Sequence, residues 1–232
     1  MKIGMVGLGR MGMNMARRIL DHGHEVAAFN RTPEKTNKLA GHGARACFSL
    51  EELVQALEPP RVIWMMLPAG EVVDQHLEII LELVQPGDVV IDGGNTYYKD
   101  DIRRSEAAAD KNVFYLDAGT SGGVWGLEVG YCLMVGGARE AFDLVEPILA
   151  ALAPEDGYLH CGPTGAGHFV KMVHNGIEYG MMQAYAEGFG ILEDSPYAQN
   201  LDYAKLSHLW NQGSVIRSWL LELAELAFAQ SP

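Results

Sequence analysis

Through about residue 161 the chain alternates short, nearly continuous apolar runs with longer stretches whose apolar residues recur at helical spacing. The apolar runs predict strands at 2–6, 25–29, 61–66, 88–92, 113–117, 131–135 and 158–160. The longer stretches predict helices at 10–22, 33–40, 50–57, 71–84, 99–110 and 138–152. Strands apolar on both faces, regularly separated by helices, belong to a mostly parallel sheet covered on each side. The expected fold is therefore α/β, a Rossmann-type doubly wound sheet. Pro33 suits the first turn of a helix, and Pro86-Gly87-Asp88 suits a turn ahead of a strand.

The pattern changes at Gly162-Pro163-Thr164-Gly165-Ala166-Gly167. Beyond it the spacing predicts a long helix at 167–193, the breaker Asp194-Ser195-Pro196, and two helices at 202–210 and 214–229. This reading gives a dinucleotide-binding domain at 1–164. A small all-helical substrate and dimerisation domain follows at 165–232. Trp210, Trp219, Leu220, Leu223, Leu226 and Phe228 recur at helical spacing and read as core or subunit interface.

The first strand runs into Gly7-Leu8-Gly9-Arg10-Met11-Gly12, which opens a helix. In a dinucleotide fingerprint such glycines allow a tight turn, backbone approach to the pyrophosphate and close helix–strand packing. The free amides and dipole of the helix N-terminus then face the anion. The second strand ends at Asn30-Arg31-Thr32, where an NAD enzyme usually has Asp or Glu for the ribose hydroxyls. A neutral Asn30, an Arg31 that can neutralise a 2′-phosphate and a donor at Thr32 put NADP ahead of NAD. Asn30 and Thr32 could equally cap the next helix. Leu67 and Asn95 follow two further strands on the same sheet edge, where ligands of open α/β sheets sit. Asn95 reads either as a nicotinamide and substrate contact or as a helix cap.

Chemistry concentrates in Lys171-Met172-Val173-His174-Asn175-Gly176-Ile177-Glu178-Tyr179. Lys171, His174, Asn175 and Glu178 share one helix face. The base and the acid are about 10 Å apart by helix rise. A lysine serves as a base when burial or a nearby cation lowers its pKa. Phe169, Val170, Met172, Val173 and Ile177 on the same helix predict that it is buried, which argues against a solvated polar stripe.

The net charge of −13 disfavours nucleic acid and anionic lipid as partners. An anionic cofactor or substrate must therefore meet local cations and amides. Three scattered cysteines, Cys47, Cys132 and Cys161, suit a reducing, cytoplasmic setting. No secretory signal or membrane span is expected. The eight histidines form no HExxH pattern, so no metal is expected.

Together, Gly7 to Gly12, Asn30-Arg31-Thr32, Ile91-Asp92-Gly93-Gly94-Asn95, Ser121-Gly122-Gly123 and the run from Gly165 to Gly180 resemble the decarboxylating 6-phosphogluconate dehydrogenases of the pentose phosphate pathway. The resemblance covers nearly the whole chain. It implies oxidative decarboxylation of 6-phosphogluconate (gluconate utilisation) to ribulose 5-phosphate with NADP, in a homodimer or higher homo-oligomer. It implies that Lys171 is the base, that Glu178 protonates the first carbon, and that Ser121, Gly122 and Gly123 hold the carboxylate. Asn95, His174 and Asn175 would hold sugar hydroxyls, and Tyr179 the phosphate. The family continues with a glycine-rich, Trp-Thr-containing segment that adds lysine and arginine contacts to the phosphate, and this chain ends at Pro232 before any such segment. The chain therefore reads as a C-terminally truncated form of the shorter bacterial type. NADP binding is expected to survive better than substrate affinity, and apolar surface is expected to favour self-association. Two alternatives stand beside this reading. One is a β-hydroxyacid dehydrogenase of the 3-hydroxyisobutyrate type, which does not require Glu178-Tyr179. The other is an NADP-binding module without turnover.

Overall fold

A computed structural model describes residues 1–230. Its strands are β1 (Lys2–Val6), β2 (Glu25–Phe29), β3 (Arg45–Cys47), β4 (Val62–Met65), β5 (Val89–Asp92), β6 (Phe114–Ser121), β7 (Cys132–Gly136) and β8 (Tyr158–Gly162). They form one sheet in the order β3-β2-β1-β4-β5-β6-β7-β8. The first six strands are parallel, β7 runs antiparallel to β6, and β8 is parallel to β7. The helices are α1 (Arg10–Asp21), α2 (Pro33–Ala40), α3 (Leu50–Gln55), α4 (Glu71–Leu83), α5 (Tyr98–Ala109), α6 (Gly126–Val129), α7 (Arg139–Leu152), α8 (Ala166–Glu193), α9 (Tyr203–Trp210) and α10 (Trp219–Gln230).

The apolar strands feed two cores because successive side chains point to opposite faces. Ile3, Met5, Trp64, Val89 and Ile91 join Met15, Ile19, Phe142 and Leu149 on one side. Val6, Ile63, Met65 and Val90 join Leu53, Val73, Leu77 and Ile80 on the other. The order reverses between β1 and β4, so the Gly7 turn opens at the switch point where ligands of such sheets bind.

The chain divides into two compact units, Met1–Met172 and Val173–Pro232, and α8 begins in the first and continues into the second. Within the second unit, the Phe189 ring lies 5.4 Å from Trp210, 4.8 Å from Phe228 and 6.1 Å from Tyr203. Tyr185 donates to the Ile216 carbonyl at 2.6 Å. No helix among the described residues is long and apolar enough to cross a membrane.

Several expectations need correction. β3 was not anticipated: three residues at a sheet edge give too short a run for periodicity to register. β6 reaches Ser121, four residues past the predicted end, because β7 pairs with its polar tail. α10 starts at Trp219 and not at residue 214. Trp219 and Leu226, read as core or subunit interface, are exposed in the single chain and so lie outside its core. Most importantly, the expectation that α8 is buried fails at its apolar positions. Phe169, Val170, Met172, Val173 and Ile177 are 39–61% exposed.

The start of α8 is nonetheless tightly seated. A methyl group on Gly167 would strike the Met134 carbonyl oxygen and lie 2.5 Å from the Asp117 carbonyl oxygen and 2.7 Å from the Gly136 nitrogen. These are backbone atoms of paired strands and cannot yield easily. Gly167→Ala should therefore cost about 1–3 kcal/mol, the usual overpacking range. Urea unfolding of the chain measures it, and an unchanged midpoint would refute the close seating.

Candidate active site

At the switch point each fingerprint glycine has a distinct steric reason. Gly7 has φ +95°, and a methyl there would meet the Met66 carbonyl oxygen. A methyl on Gly12 would strike the Gly7 carbonyl oxygen, so Gly12 lets α1 approach β1. Gly9 is exposed and meets nothing within 4 Å, which leaves its backbone open to a ligand. Arg10 is exposed, Leu8 is buried and Met11 is half-buried. Asn30 accepts from the Leu8 amide at 2.8 Å through Oδ1 and donates to the Thr32 carbonyl at 3.1 Å. Its amide therefore ties the end of β2 to the glycine turn. Thr32 occupies the N-cap position of α2 without a side-chain capping bond.

Beside this turn lies a cavity of about 290 Å³ lined by residues that include Gly7, Gly9, Asn30, Arg31, Thr32 and Leu67. Lys35 and His76 also line it, and periodicity alone does not mark either. Arg31 and Lys35 bring two cations to a strongly acidic chain. The cavity, the open Gly9 backbone and the free helix N-terminus fit a dinucleotide.

A second group of residues lies further along the sheet edge. The parallel pairing of β5 with β6 ends with Asp92 opposite Asp117, and both are fully buried. Asp92 accepts from the Gly94 amide at 2.9 Å and the Thr96 hydroxyl at 2.8 Å. Arg104 reaches Asp92 at 3.3 Å, Asp74 at 2.8 Å and the Gly70 carbonyl at 3.0 Å. These bonds shape the Gly93-Gly94-Asn95 turn. Asn95 is exposed on it and does not cap α5, whose N-cap is Tyr97.

Asp117 holds the start of α8. Its two carboxylate oxygens accept the Gly165 amide at 2.7 Å and the His168 amide at 2.8 Å. These are unsatisfied donors of a helix N-terminus, and a carboxylate there also meets the favourable dipole end. Two residues on, Gly119 makes room for the Lys171 stem: a methyl on Gly119 would collide with Lys171 Cβ and lie 3.1 Å from Cγ. Two further, Ser121 falls on the same face of β6 by strand alternation. Gly122 and Gly123 follow with φ +130° and +52°. The structure thus packs the stem of Lys171, which is buried, against β6 at Gly119, two residues before the strand ends at Ser121.

In the second unit, α8 carries His174, Asn175, Glu178 and Tyr179. His174 Nδ1 lies 3.3 Å from Asn175 Oδ1 and 3.7 Å from a Glu178 carboxylate oxygen. Tyr179 is 69% exposed.

Sequence patterns did not reveal the buried polar cluster of Asp92, Asp101, Arg104, Tyr115, Asp117 and His168. Its one legible sign was an aspartate closing each of two neighbouring apolar strands. Asp101, Asp117 and His168 offer donor atoms within 4.8 Å of one another. Each donor atom already carries a hydrogen bond, from Tyr115 to Asp101, between Asp101 and His168, and from the α8 amides to Asp117, with His168 Nε2 on the Gly94 carbonyl. The trio is therefore a closed hydrogen-bonded cluster.

Comparison with known proteins decides the lineage. The pattern for the NAD binding domain of 6-phosphogluconate dehydrogenase matches residues 2–162, and that for the C-terminal domain of the same enzyme matches residues 167–232. The chain belongs to the 6-phosphogluconate dehydrogenase family. Among family relatives, the NAD(+)-dependent, decarboxylating 6-phosphogluconate dehydrogenase of Haloferax volcanii is 47% identical over 231 residues, covering 99% of this chain and 76% of that protein. The solved 6-phosphogluconate dehydrogenase of Plasmodium falciparum superposes with a TM-score of 0.89 at 35% identity, covering 99% of this chain and 51% of that one. It is described in complexes with NADP+ and with 6-phosphogluconate. A Mycobacterium tuberculosis 3-hydroxyisobutyrate dehydrogenase superposes at 0.80 with 30% identity, covering 94% of this chain and 72% of that one. This 6-phosphogluconate dehydrogenase family chain thus spans about three quarters of the Haloferax relative and about half of the Plasmodium chain.

The Arg104–Asp74 pair contributes to the acid side of the stability curve. The hydrogen bond from Arg104 holds the Asp74 carboxyl below its ordinary range, against partial burial. Stability from a depressed carboxyl is present above its unfolded value, about 3.9, and is lost as pH falls through the folded one. Asp74→Asn should flatten that acid limb in urea midpoints measured from pH 5 downward. An unaltered limb would remove Asp74 from the account.

Proposed function

We propose that this chain carries the oxidative decarboxylation of 6-phospho-D-gluconate to ribulose 5-phosphate with NADP. The observation that carries the reading is Lys171, buried at the seated start of α8 against β6, which ends at Ser121 and runs into Gly122-Gly123. Arg31, Thr32 and Lys35 would hold the 2′-phosphate, and the amides at Gly9, Arg10 and Met11 the pyrophosphate. Gly7, Leu8, Gly12 and Asn30 shape that turn, and Leu67 lines the cavity beside it. Bound NADP supplies the hydride acceptor.

Neutral Lys171 takes the proton of the substrate 3-hydroxyl as that carbon is oxidised. The resulting β-keto acid loses carbon dioxide as its C1–C2 bond breaks, and that electron pair becomes the C2=C3 bond of an enolate. The lysine, now an ammonium, returns its proton to the enolate oxygen. Glu178, seven residues on along the same helix, then donates a proton to the carbon that lost the carboxylate (the first carbon of the ketose), while the neutral Lys171 takes the hydroxyl proton back and the carbonyl of the ketose forms. Ser121, Gly122 and Gly123 hold the carboxylate until it leaves. Asn95, His174 and Asn175 hold sugar hydroxyls, and Tyr179 holds the phosphate. His174 within reach of the Glu178 carboxylate supports a proton route at that end of the substrate.

A homodimer or higher homo-oligomer belongs to the same reading. The apolar residues exposed along α8 are surface that association would cover. Three free thiols suit a reducing cytoplasm. A hydroxyacid dehydrogenase of the 3-hydroxyisobutyrate type is the second reading, favoured by the Mycobacterium superposition. Turnover of 3-hydroxyisobutyrate in preference to 6-phosphogluconate would select it.

Lys171→Met should lower turnover of 6-phosphogluconate by at least about 10²–10⁴-fold, the contribution of a general base. NADP affinity should stay within about twofold. Steady-state rates with a fluorescence titration read both, and near-normal turnover would remove Lys171 from the mechanism. Arg31→Ala should weaken NADP about 10–100-fold, as expected for a charged hydrogen bond of about 1.5–3 kcal/mol, and leave NAD nearly unchanged. Equal losses for the two cofactors would refute the 2′-phosphate assignment.

A further inference from the structure

His168 sits three residues before Lys171 on α8 and is 2% exposed. Its Nδ1 lies 2.8 Å from Asp101 Oδ2, and its Nε2 lies 3.0 Å from the Gly94 carbonyl oxygen. A carbonyl oxygen can only accept, so Nε2 carries a proton. The contact with Asp101 then requires a second proton between Nδ1 and the carboxylate. Asp101 is itself buried on α5 and accepts from the Tyr115 hydroxyl at 3.0 Å, which leaves its other oxygen for the ring.

We propose that His168 is a positioning residue that carries protons on both ring nitrogens and ties the Gly94-Asn95 turn after β5 to the start of α8. One charged ring thereby fixes two groups of the proposed reaction, the Asn95 amide on its turn and the Lys171 amine one helical turn on. The catalytic part of this inference rests on the function proposed above; the protonation and the tie do not.

The surrounding charges support the doubly protonated form. Burial alone would lower the basicity of His168. The Asp101 hydrogen bond and the carboxylates of Asp101, Asp92 and Asp117 outweigh it and leave the ring above its ordinary value. Asp101 faces it from α5, Asp92 from the end of β5 and Asp117 from β6. Tyr115 on β6 stays protonated well above its usual range because it is buried beside Asp92 and Asp101. Arg104 on α5 is the cation that partners Asp92 and Asp74. A positive ring among three carboxylates and one guanidinium brings this buried cluster closer to neutrality. Burial pushes the Asp101 carboxyl up toward its neutral form and the bond with His168 opposes that rise, so the shared proton rests on the ring because a neutral ring would leave Asp101 short of a partner. A histidine whose folded value is raised stabilises fully below about pH 6.5 and loses that contribution as pH rises through the folded value. The tie should therefore loosen on the alkaline side.

Nitrogen NMR of the full ¹⁵N-labelled chain tests the protonation directly, with His168→Gln used to assign the ring signals. Two protonated-type ring nitrogens for His168 at pH 7 are expected. One protonated and one bare nitrogen at that pH would overturn the proposal. Hydrogen exchange tests the tie without any need for turnover. His168→Gln should speed exchange of the Gly94 and Thr96 amides at least about tenfold and leave the Leu8 amide unchanged; unchanged exchange at Gly94 and Thr96 would overturn it. If His168→Gln does not fold, Asp101→Asn serves instead, and it should shift the His168 ring toward one bare nitrogen at pH 7 and above. No such shift would overturn the charge pairing. Where the chain turns over 6-phosphogluconate, His168→Gln should lower kcat up to about 10²-fold, the cost of misplacing groups by about an ångström, with NADP affinity within about twofold. Any alkaline fall of kcat that arises from loss of the His168 proton should be absent from that variant. A chain with no turnover at all, but with both NMR and exchange results as expected, would count against the function proposed above and not against the tie.

Discussion

The seating of α8 on β6 depends on one carboxylate. Asp117 is fully buried, and a buried carboxylate needs hydrogen-bond partners to replace the water it loses. It finds those partners in two backbone amides that the first turn of a helix cannot satisfy for itself. The sequence separation is about fifty residues, so this is a helix cap supplied by tertiary structure. Strand alternation then repeats the geometry along β6. Asp117 holds the helix end, Gly119 admits the Lys171 stem, and Ser121 closes the strand on the same face. One strand and one helix terminus thus determine where the lysine backbone can lie.

Asp92 does the equivalent work one strand over. It gathers Gly94, Thr96 and Arg104 and so shapes the turn that displays Asn95. His168 bridges the two arrangements, through Gly94 on one side and its own helix on the other. The glycine turn after β1 is built by simpler means, with two glycines that permit close backbone approach and one that leaves space. An acidic chain can hold anionic ligands here because Arg31, Lys35 and amide donors are local, whereas the net charge acts over the whole surface.

The fold was largely legible because its signals are local. Nearly continuous apolar strands alternating with helices specify a covered parallel sheet, and the glycine spacing specifies the turn after β1. Ser121, Gly122 and Gly123 were legible as a motif, but not as the end of a strand, because pairing with β7 is a long-range fact. Asp101 and His168 are 67 residues apart, and no periodicity links them. The apolar face of α8 gave the clearest misreading. Hydrophobic spacing shows that a helix face favours removal from water, and it does not say that the same chain will cover it. Phe169, Val170, Met172, Val173 and Ile177 remain exposed here.

The most direct measurement is the stoichiometry of products from 6-phosphogluconate labelled with ¹³C at its carboxylate. Incubated with NADP, the chain should release labelled carbon dioxide and form NADPH in a ratio of one to one. NADPH without labelled carbon dioxide would mean a dehydrogenase that does not decarboxylate, and neither product would mean that the buried lysine serves another chemistry.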